Sequence, residues 1–227
     1  MTEQGQAAAA IWREAGFAQE WAAGDSFRDL LAFPRQMAAV IIAGDNPEPG
    51  TIADIGAGPG DFLAVMLEQF PLARGIWTDA SEAMLGLARE RLAPFGDRVE
   101  FRIVDMTALG GGAIPAGADV ITTSRAAHHL DRAGLAEFYT EAGQLLAPGG
   151  WLVNLDHIGP DDVWDQRLRA ARKQLGAQSN GPRHHHTYPL TSVQDHLRAF
   201  GAAGFTDVEV AWRAFFTCLF MGRKSGR

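Results

Sequence analysis

The period of the apolar positions changes along this chain, and each change marks an element. Residues 51–55, Thr-Ile-Ala-Asp-Ile, form a short apolar run behind the breaker cluster Asp45-Asn46-Pro47-Glu48-Pro49-Gly50, which predicts a strand starting after a loop. Beyond a glycine-rich turn, Leu63, Met66, Leu67 and Phe70 recur at i, i+3, i+4 and i+7, one face of a helix that Pro71 ends. A second strand is predicted at residues 75–79, and Ser81 is placed to cap a helix with the apolar face Met84, Leu85, Ala88 and Leu92, closed by Pro94 and Gly96. Val99, Phe101 and Ile103 alternate with Glu100 and Arg102 in a third strand that leads to Asp105. The fourth strand falls at residues 119–123. A stripe of Leu135, Phe138, Tyr139, Ala142, Leu145 and Leu146 then predicts a long helix stopped by Pro148-Gly149-Gly150, with a fifth strand at residues 151–155.

Residues 157–190 interrupt this rhythm and read as an insertion. Val193, Leu197 and Phe200 mark a last helix, followed by strands at 207–213 and 215–221. With so short a connection between them, those strands must pair as an antiparallel hairpin. The expected fold is α/β: a doubly wound, mostly parallel seven-stranded sheet with a closing antiparallel hairpin and helices on both faces. Residues 1–45, with Trp12, Phe17, Trp21 and Phe27 among Ala, Glu and Gln, are expected to form an N-terminal helical cap on a domain spanning 46–227. The insertion would serve that domain as a lid.

Composition narrows the function. A chain of 227 residues suits one α/β domain, and a net charge of −7 argues against broad capture of nucleic acid or of an anionic membrane. Small molecules become the expected partners. The single cysteine, Cys218, lies in an apolar strand and excludes an internal disulfide, which fits a reducing compartment; a cytoplasmic location is expected. The Ala7-Ala8-Ala9-Ala10-Ile11-Trp12 run is cut by Arg13 and Glu14 and does not read as a signal peptide, and no apolar run reaches the roughly 20 residues of a membrane helix.

The sharpest chemical signal is the turn Asp54-Ile55-Gly56-Ala57-Gly58-Pro59-Gly60, between a strand and a helix, where bare backbone can approach a ligand closely. Its G-x-G-x-G spacing departs from the G-x-G-x-x-G of dinucleotide sites. Together with Asp79-Ala80-Ser81-x-x-Met84-Leu85, Asp105-Met106 and Leu146-Ala147-Pro148-Gly149-Gly150, this turn resembles the motif series of class I S-adenosylmethionine (SAM)-dependent methyltransferases of the small-molecule type. The resemblance covers about residues 50–155 and implies SAM as cofactor. It also implies roles: Gly56, Gly58 and Gly60 cradle the cofactor, Asp79 with Ala80 lies at the ribose diol, and Asp105 with Met106 lies at the adenine. Asp54 and the backbone near Ser124 take the amino-acid end.

Ser124, Arg125, His128 and His129 after the fourth strand, and Asp156 and His157 after the fifth, occupy the sheet edge where acceptors bind in open α/β folds. His128 is a candidate general base, against the plainer reading that it packs on the following helix. His185, within His184-His185-His186 of the insertion, is a second candidate; no metal is expected. Arg167, Arg169, Arg172, Lys173 and Arg183 in the insertion suit an anionic or aromatic acceptor, or simply a solvated helix face. The expected activity is methyl transfer to a small molecule by in-line displacement. A SAM-binding protein without transfer activity and, further off, a nicotinamide-dependent oxidoreductase are the alternatives. Acceptor identity and oligomeric state are open at this level.

Overall fold

Strands and helices alternate along the chain, and the alternation winds it into one sheet. The computed structural model describes Gly16 and residues 28–112, 114–174 and 189–226. In order, the elements are α1 (Arg28–Asp45), β1 (Thr51–Ile55), α2 (Asp61–Gln69), β2 (Arg74–Asp79), α3 (Glu82–Leu92), β3 (Val99–Ile103), β4 (Ala118–Ser124), α4 (Arg132–Leu145), β5 (Leu146–His157), α5 (Asp162–Gln174), α6 (Val193–Ala202), β6 (Phe205–Ala214) and β7 (Thr217–Lys224). The sheet order is β3-β2-β1-β4-β5-β7-β6. Strands β1 to β5 pair in parallel, and β7 runs antiparallel to both β5 and β6. The expected seven-stranded, doubly wound sheet with its closing hairpin is therefore present.

Side-chain alternation along the strands feeds two cores. Ile52, Val120, Val153, Leu155 and Leu219 join α1, α2 and α3 on one face, while Ala53, Ile55, Ile121, Leu152 and Phe220 join α4 and α6 on the other. The caps form as the residue types dictate: Ser81 Oγ accepts from the Met84 amide at 3.3 Å. Ser192 and Asp195 make a reciprocal capping box on α6.

Two boundaries differ from the sequence expectation. The Pro148-Gly149-Gly150 group does not stop a helix, because α4 ends at Leu145 and β5 begins at Leu146, well before residue 151. Gly149 (φ 78°) and a register shift between Ala118 and Val120 let the strand absorb these residues as an irregularity. Of the expected cap, α1 is described, and its Leu31, Ala38, Ala39 and Ile42 belong to the same core as α2. Trp12, Phe17, Trp21 and Phe27 lie outside the described residues. The insertion contributes α5, which buries none of its side chains. No described helix is long and apolar enough to cross a membrane.

Candidate active site

The chain leaves β1 in one direction, toward β2 and β3, and later returns to lay β4 on the other side of β1. The strand order thus reverses between β1 and β4, and the carboxyl ends of these two strands border the crevice where open α/β sheets hold their ligands. The glycine turn opens at this point. Gly56, Gly58 and Gly60 all have positive φ (60°, 52° and 84°), a region that side chains rarely adopt. A Cβ on Gly56 would stand 2.7 Å from Ala126 Cβ, and one on Gly60 2.9 Å from Leu92 Cδ1. At Gly58 it would meet only Met84 Sδ, at 4.0 Å, so the protein leaves room there.

Three acidic strand ends surround this turn. Asp79 Oδ2 accepts from the Gly58 amide at 2.8 Å and its Oδ1 from the Ser81 amide at 2.9 Å. Trp77 Nε1 fixes the turn from the other side by donating to the Gly58 carbonyl at 2.9 Å. Burial pushes the Asp79 carboxyl above its ordinary range, against the Gly58, Ser81 and Ala80 amides that favour its charge. Asp54 is fully buried; Oδ1 accepts from Thr122 Oγ1 at 2.8 Å and Oδ2 from the Leu63 amide at 3.2 Å. Burial raises its carboxyl from 3.8 to about 7, opposed by Thr122, by the charge of Arg35 and by Leu63. Asp105, after β3, is half-buried and closes a local turn, accepting from Thr107 N at 2.9 Å and Thr107 Oγ1 at 2.7 Å; Met106 beside it packs on the second core.

Strand parity puts Asp54, Asp79, Thr122 and Ser124 on the α1–α3 side of the sheet. Ser124 Oγ is buried and has no hydrogen-bond partner among the described residues. Such an orphan calls for a polar ligand or water. Arg125, next in the chain, holds a left-handed φ of 54°, a strained conformation for a non-glycine residue at a strand end.

A second polar group occupies the opposite face. His128 is buried in a short 3-10 turn, Ala127–His129, where its amide donates to Asp156 Oδ2 at 2.8 Å and its Nδ1 lies 2.6 Å from Asp156 Oδ1. Asp156 is itself fully buried at the end of β5 and also accepts from the His157 amide at 2.7 Å. Burial raises its carboxyl, while the His157 charge and the two amides act the other way. The 2.6 Å contact with Asp156 occupies Nδ1, so any proton that His128 exchanges with a group other than Asp156 passes through Nε2. The ring of His129 lies 4.1 Å and that of His157 5.1 Å from His128. Beneath this pair runs a buried chain in which Asn154 Nδ2 donates to Tyr139 Oη (2.8 Å), Tyr139 Oη meets His196 Nδ1 (2.7 Å), and His196 Nε2 meets Thr191 Oγ1 (2.9 Å).

The sheet order thus sets Asp54, Gly56, Gly58, Gly60, Asp79, Ala80 and Ser124 at or just beyond the carboxyl ends of β1, β2 and β4, with Asp105 and Met106 after β3 and His128 after β4 on the opposite face. His185, its two neighbours and Arg183 lie outside the described residues. Among those described, no three His, Cys, Asp or Glu side chains are placed to hold a metal. Arg169 on α5 is paired with Asp165 at 2.5 Å, and Arg167 stacks over Trp164 at 5.4 Å. Cys218 is buried in the second core, and burial pushes its thiol up to about 11, which leaves it a packing residue. Thr122 and Trp77 also hold Asp54 and the glycine turn in place, which no motif in the sequence indicates. The one available signal was parity along β4, which turns Thr122 and Ser124 to the same face.

Comparison with known proteins agrees with this geometry. Residues 52–150 match the family model described as a methyltransferase domain. The trans-aconitate 2-methyltransferase of Acidovorax sp. (strain JS42) is 33% identical over 136 residues, 59% of this chain and 47% of that protein. The demethylmenaquinone methyltransferase of Bacteroides fragilis is 32% identical over 118 residues, 50% of this chain and 45% of that one. The chain spans about half the length of these curated relatives. Among solved structures, an O-methyltransferase family protein from Burkholderia thailandensis superposes with a TM-score of 0.68 at 24% identity, covering 96% of this chain and 64% of that one. Human N-acetylserotonin methyltransferase in complex with SAM superposes with a TM-score of 0.65 at 15% identity, covering 95% and 58%. At these identities the superpositions speak to the fold.

Proposed function

We propose that this chain is a class I SAM-dependent methyltransferase, a reading its methyltransferase-domain match and its relatives support, and that it transfers a methyl group from SAM to a small-molecule acceptor by in-line displacement. The observation that carries the reading is the glycine turn at the β1/β4 switch point, laced to Asp79 through the Gly58 amide and left open where a Gly58 side chain would stand. The buried Ser124 Oγ on the same face, without a hydrogen-bond partner among the described residues, suits a polar ligand. Bound SAM supplies a methyl group already activated on a sulfonium, so the protein's part is alignment, exclusion of water and, where the acceptor needs it, proton removal.

Each residue then has a role that its geometry permits. Asp79 holds the ribose hydroxyls with the lone pairs that Gly58 and Ser81 leave on its two oxygens, since a carboxylate offers about four acceptor sites. Ala80 lies beside the ribose, and Asp105 and Met106 lie at the adenine. Asp54 and Ser124 take the amino-acid end. His128 is the general base: Asp156 fixes its Nδ1 and thereby its tautomer and ring angle, while Nε2 takes the acceptor proton. His185 is a second candidate for that role. Residues 1–45 act as a cap and residues 157–190 as a lid that contributes to the acceptor pocket.

The acceptor is proposed to carry a carboxylate or an aromatic part. The basic residues of the insertion support this, as does the name of the Acidovorax relative, which gives trans-aconitate as that protein's acceptor. Calorimetry with SAM, with NAD as control, followed by labelled-methyl transfer to a panel of carboxylate and aromatic acceptors, tests the proposal. SAM should bind and NAD should not. Asp79→Asn should weaken SAM about tenfold or more while keeping the shape of the residue. Tight SAM binding with no transfer to any acceptor would favour a binding protein, and NAD binding in place of SAM would remove the reading.

A further inference from the structure

We infer that His196 is a positioning residue for the His128–Asp156 pair: it clamps the end of β5 on both sides of Asp156 and so sets the angle at which that carboxylate meets the imidazole. This rests on the proposed role of His128 as base and adds residues that no motif indicates. On the α4–α6 face of β5 the side chains run Leu152, Asn154, Asp156, all fully buried, so polarity begins only where the strand nears its carboxyl end. Buried polar groups cost stability, and what a bonded chain of them gives in return is one fixed arrangement.

Two connections leave His196. Asn154 Nδ2 donates to Tyr139 Oη at 2.8 Å, which turns the Tyr139 hydroxyl hydrogen toward His196 Nδ1 at 2.7 Å. With Nδ1 an acceptor, the neutral ring carries its hydrogen on Nε2 and donates to Thr191 Oγ1 at 2.9 Å. Burial keeps the ring neutral, lowering it from 6.5 to about 4 against the pull of Asp156 and Asp195. The first connection ends on β5 just before Asp156, at Asn154. The second ends just after it, because the Thr191 carbonyl accepts from the Gly159 amide at 3.0 Å. That approach is too close for a side chain: a Cβ on Gly159 would stand 2.5 Å from the Leu190 carbonyl oxygen. The capping box of α6 starts at Ser192, which fixes Thr191 relative to His196. Asp156 therefore sits inside a short stretch of chain, 154–159, held at both ends through one imidazole. Its oxygens take the His128 amide at 2.8 Å, His128 Nδ1 at 2.6 Å and the His157 amide at 2.7 Å, so a small rotation of the stretch disturbs all three.

The rival is a brace in which this chain of bonds only fastens α6 to the sheet. Proton NMR separates the two, since a hydrogen held between Nδ1 and a carboxylate at 2.6 Å gives a low-field resonance that exchange with water erases once the contact loosens. The wild type should show this resonance, identified by its loss in His128→Gln. Tyr139→Phe removes the hydroxyl and keeps the ring; it should move the resonance upfield or erase it while SAM affinity, read by calorimetry, stays within about twofold. Thr191→Val should act in the same direction, and Thr191→Ser, which keeps the hydroxyl, should retain the wild-type signal. A resonance unchanged in either Tyr139→Phe or Thr191→Val, its absence from the wild type, or a change that comes with collapse of SAM binding overturns the inference. If Tyr139→Phe does not fold, Thr191→Val and Thr191→Ser decide alone. Failure of the wild type to bind SAM removes the proposed function, whereas the resonance tests the clamp without any ligand.

Discussion

Asp54 couples the site to pH through its burial. With its carboxyl raised to about 7, a proton competes with any cation that binds there in neutral solution. Only the ionised form can accept an ammonium, so SAM affinity should fall about tenfold per pH unit below 7 and level off above it. The α-amino group of the ligand titrates near 8, so affinity should fall again on the alkaline side. Calorimetry from pH 5.5 to 9 should trace this bell, and Asp54→Asn should bind more weakly and lose the acid limb. An acid limb that persists in Asp54→Asn would assign the titration elsewhere. Asp54, Asp79 and Asp105 could be located from sequence because each ends a strand whose alternation is plain. Their partners could not. The pairing of His128 with Asp156 joins residues 28 apart across a strand, a loop and a helix, and the depth at which Arg35 sits depends on how α1 lies against α2. Asp156 could be placed at the acceptor edge because it closes the apolar run Leu152-Val153-Asn154-Leu155, but nothing in the sequence pairs it with His128.

At the scale of elements, the glycine turn has two different reasons for its glycines. The β4–α4 loop leans on Gly56, where a Cβ would collide with Ala126 Cβ at 2.7 Å; at Gly58 a Cβ would meet nothing closer than 4.0 Å. Gly56→Ala should therefore force apart two loops and lose about 1 to 3 kcal/mol of stability, with the His128 turn displaced as well. Gly58→Ala bears only the dihedral strain of φ 52°, and its main effect should be on the ligand that the open space would receive. Thermal melts paired with SAM titration check this: Gly56→Ala should show the larger drop in melting temperature, and Gly58→Ala the larger loss of affinity relative to its drop in melting temperature. The reverse order would mean that the ligand does not approach Gly58. Strand and helix positions were legible because period 2 and period 3.6 are clear in this chain. The start of β5 was not, because Pro-Gly-Gly reads locally as a stop, and only the neighbouring strand β4 shows that the ladder continues through it.

Across the whole molecule, each face of the sheet buries a titratable group, and the two act on stability in opposite directions. Asp54, on the α1–α3 face, keeps its proton up to about pH 7 when folded, whereas an unfolded Asp releases it near 3.8. Between those values the unfolded chain binds fewer protons, so the contribution of Asp54 to stability declines as pH rises from 4 to 7. His196, on the α4–α6 face, is stacked on Phe220 and bonded to Tyr139 and Thr191; burial lowers it from 6.5 to about 4, although Asp156 and Asp195 pull it upward. An unfolded His takes its proton near 6.5. The contribution of His196 is thus complete above pH 6.5 and is lost as pH falls toward 4. From pH 4 to 6.5 the two slopes oppose each other, each up to about 1.4 kcal/mol per pH unit, and the raised carboxyls of Asp79 and Asp156 act in the direction of Asp54. A wild-type melt against pH blends these effects, but differences from single variants separate them. Asp54→Asn removes the buried charge, so its melting temperature relative to wild type should climb steadily from pH 4 to pH 7. His196→Gln breaks hydrogen bonds at every pH, yet its deficit should shrink as pH falls from 6.5 to 4, because wild type alone loses the neutral-histidine contribution there. If either difference stays flat over that range, the corresponding group does not carry the shifted proton, and the burial of that face does not control its charge.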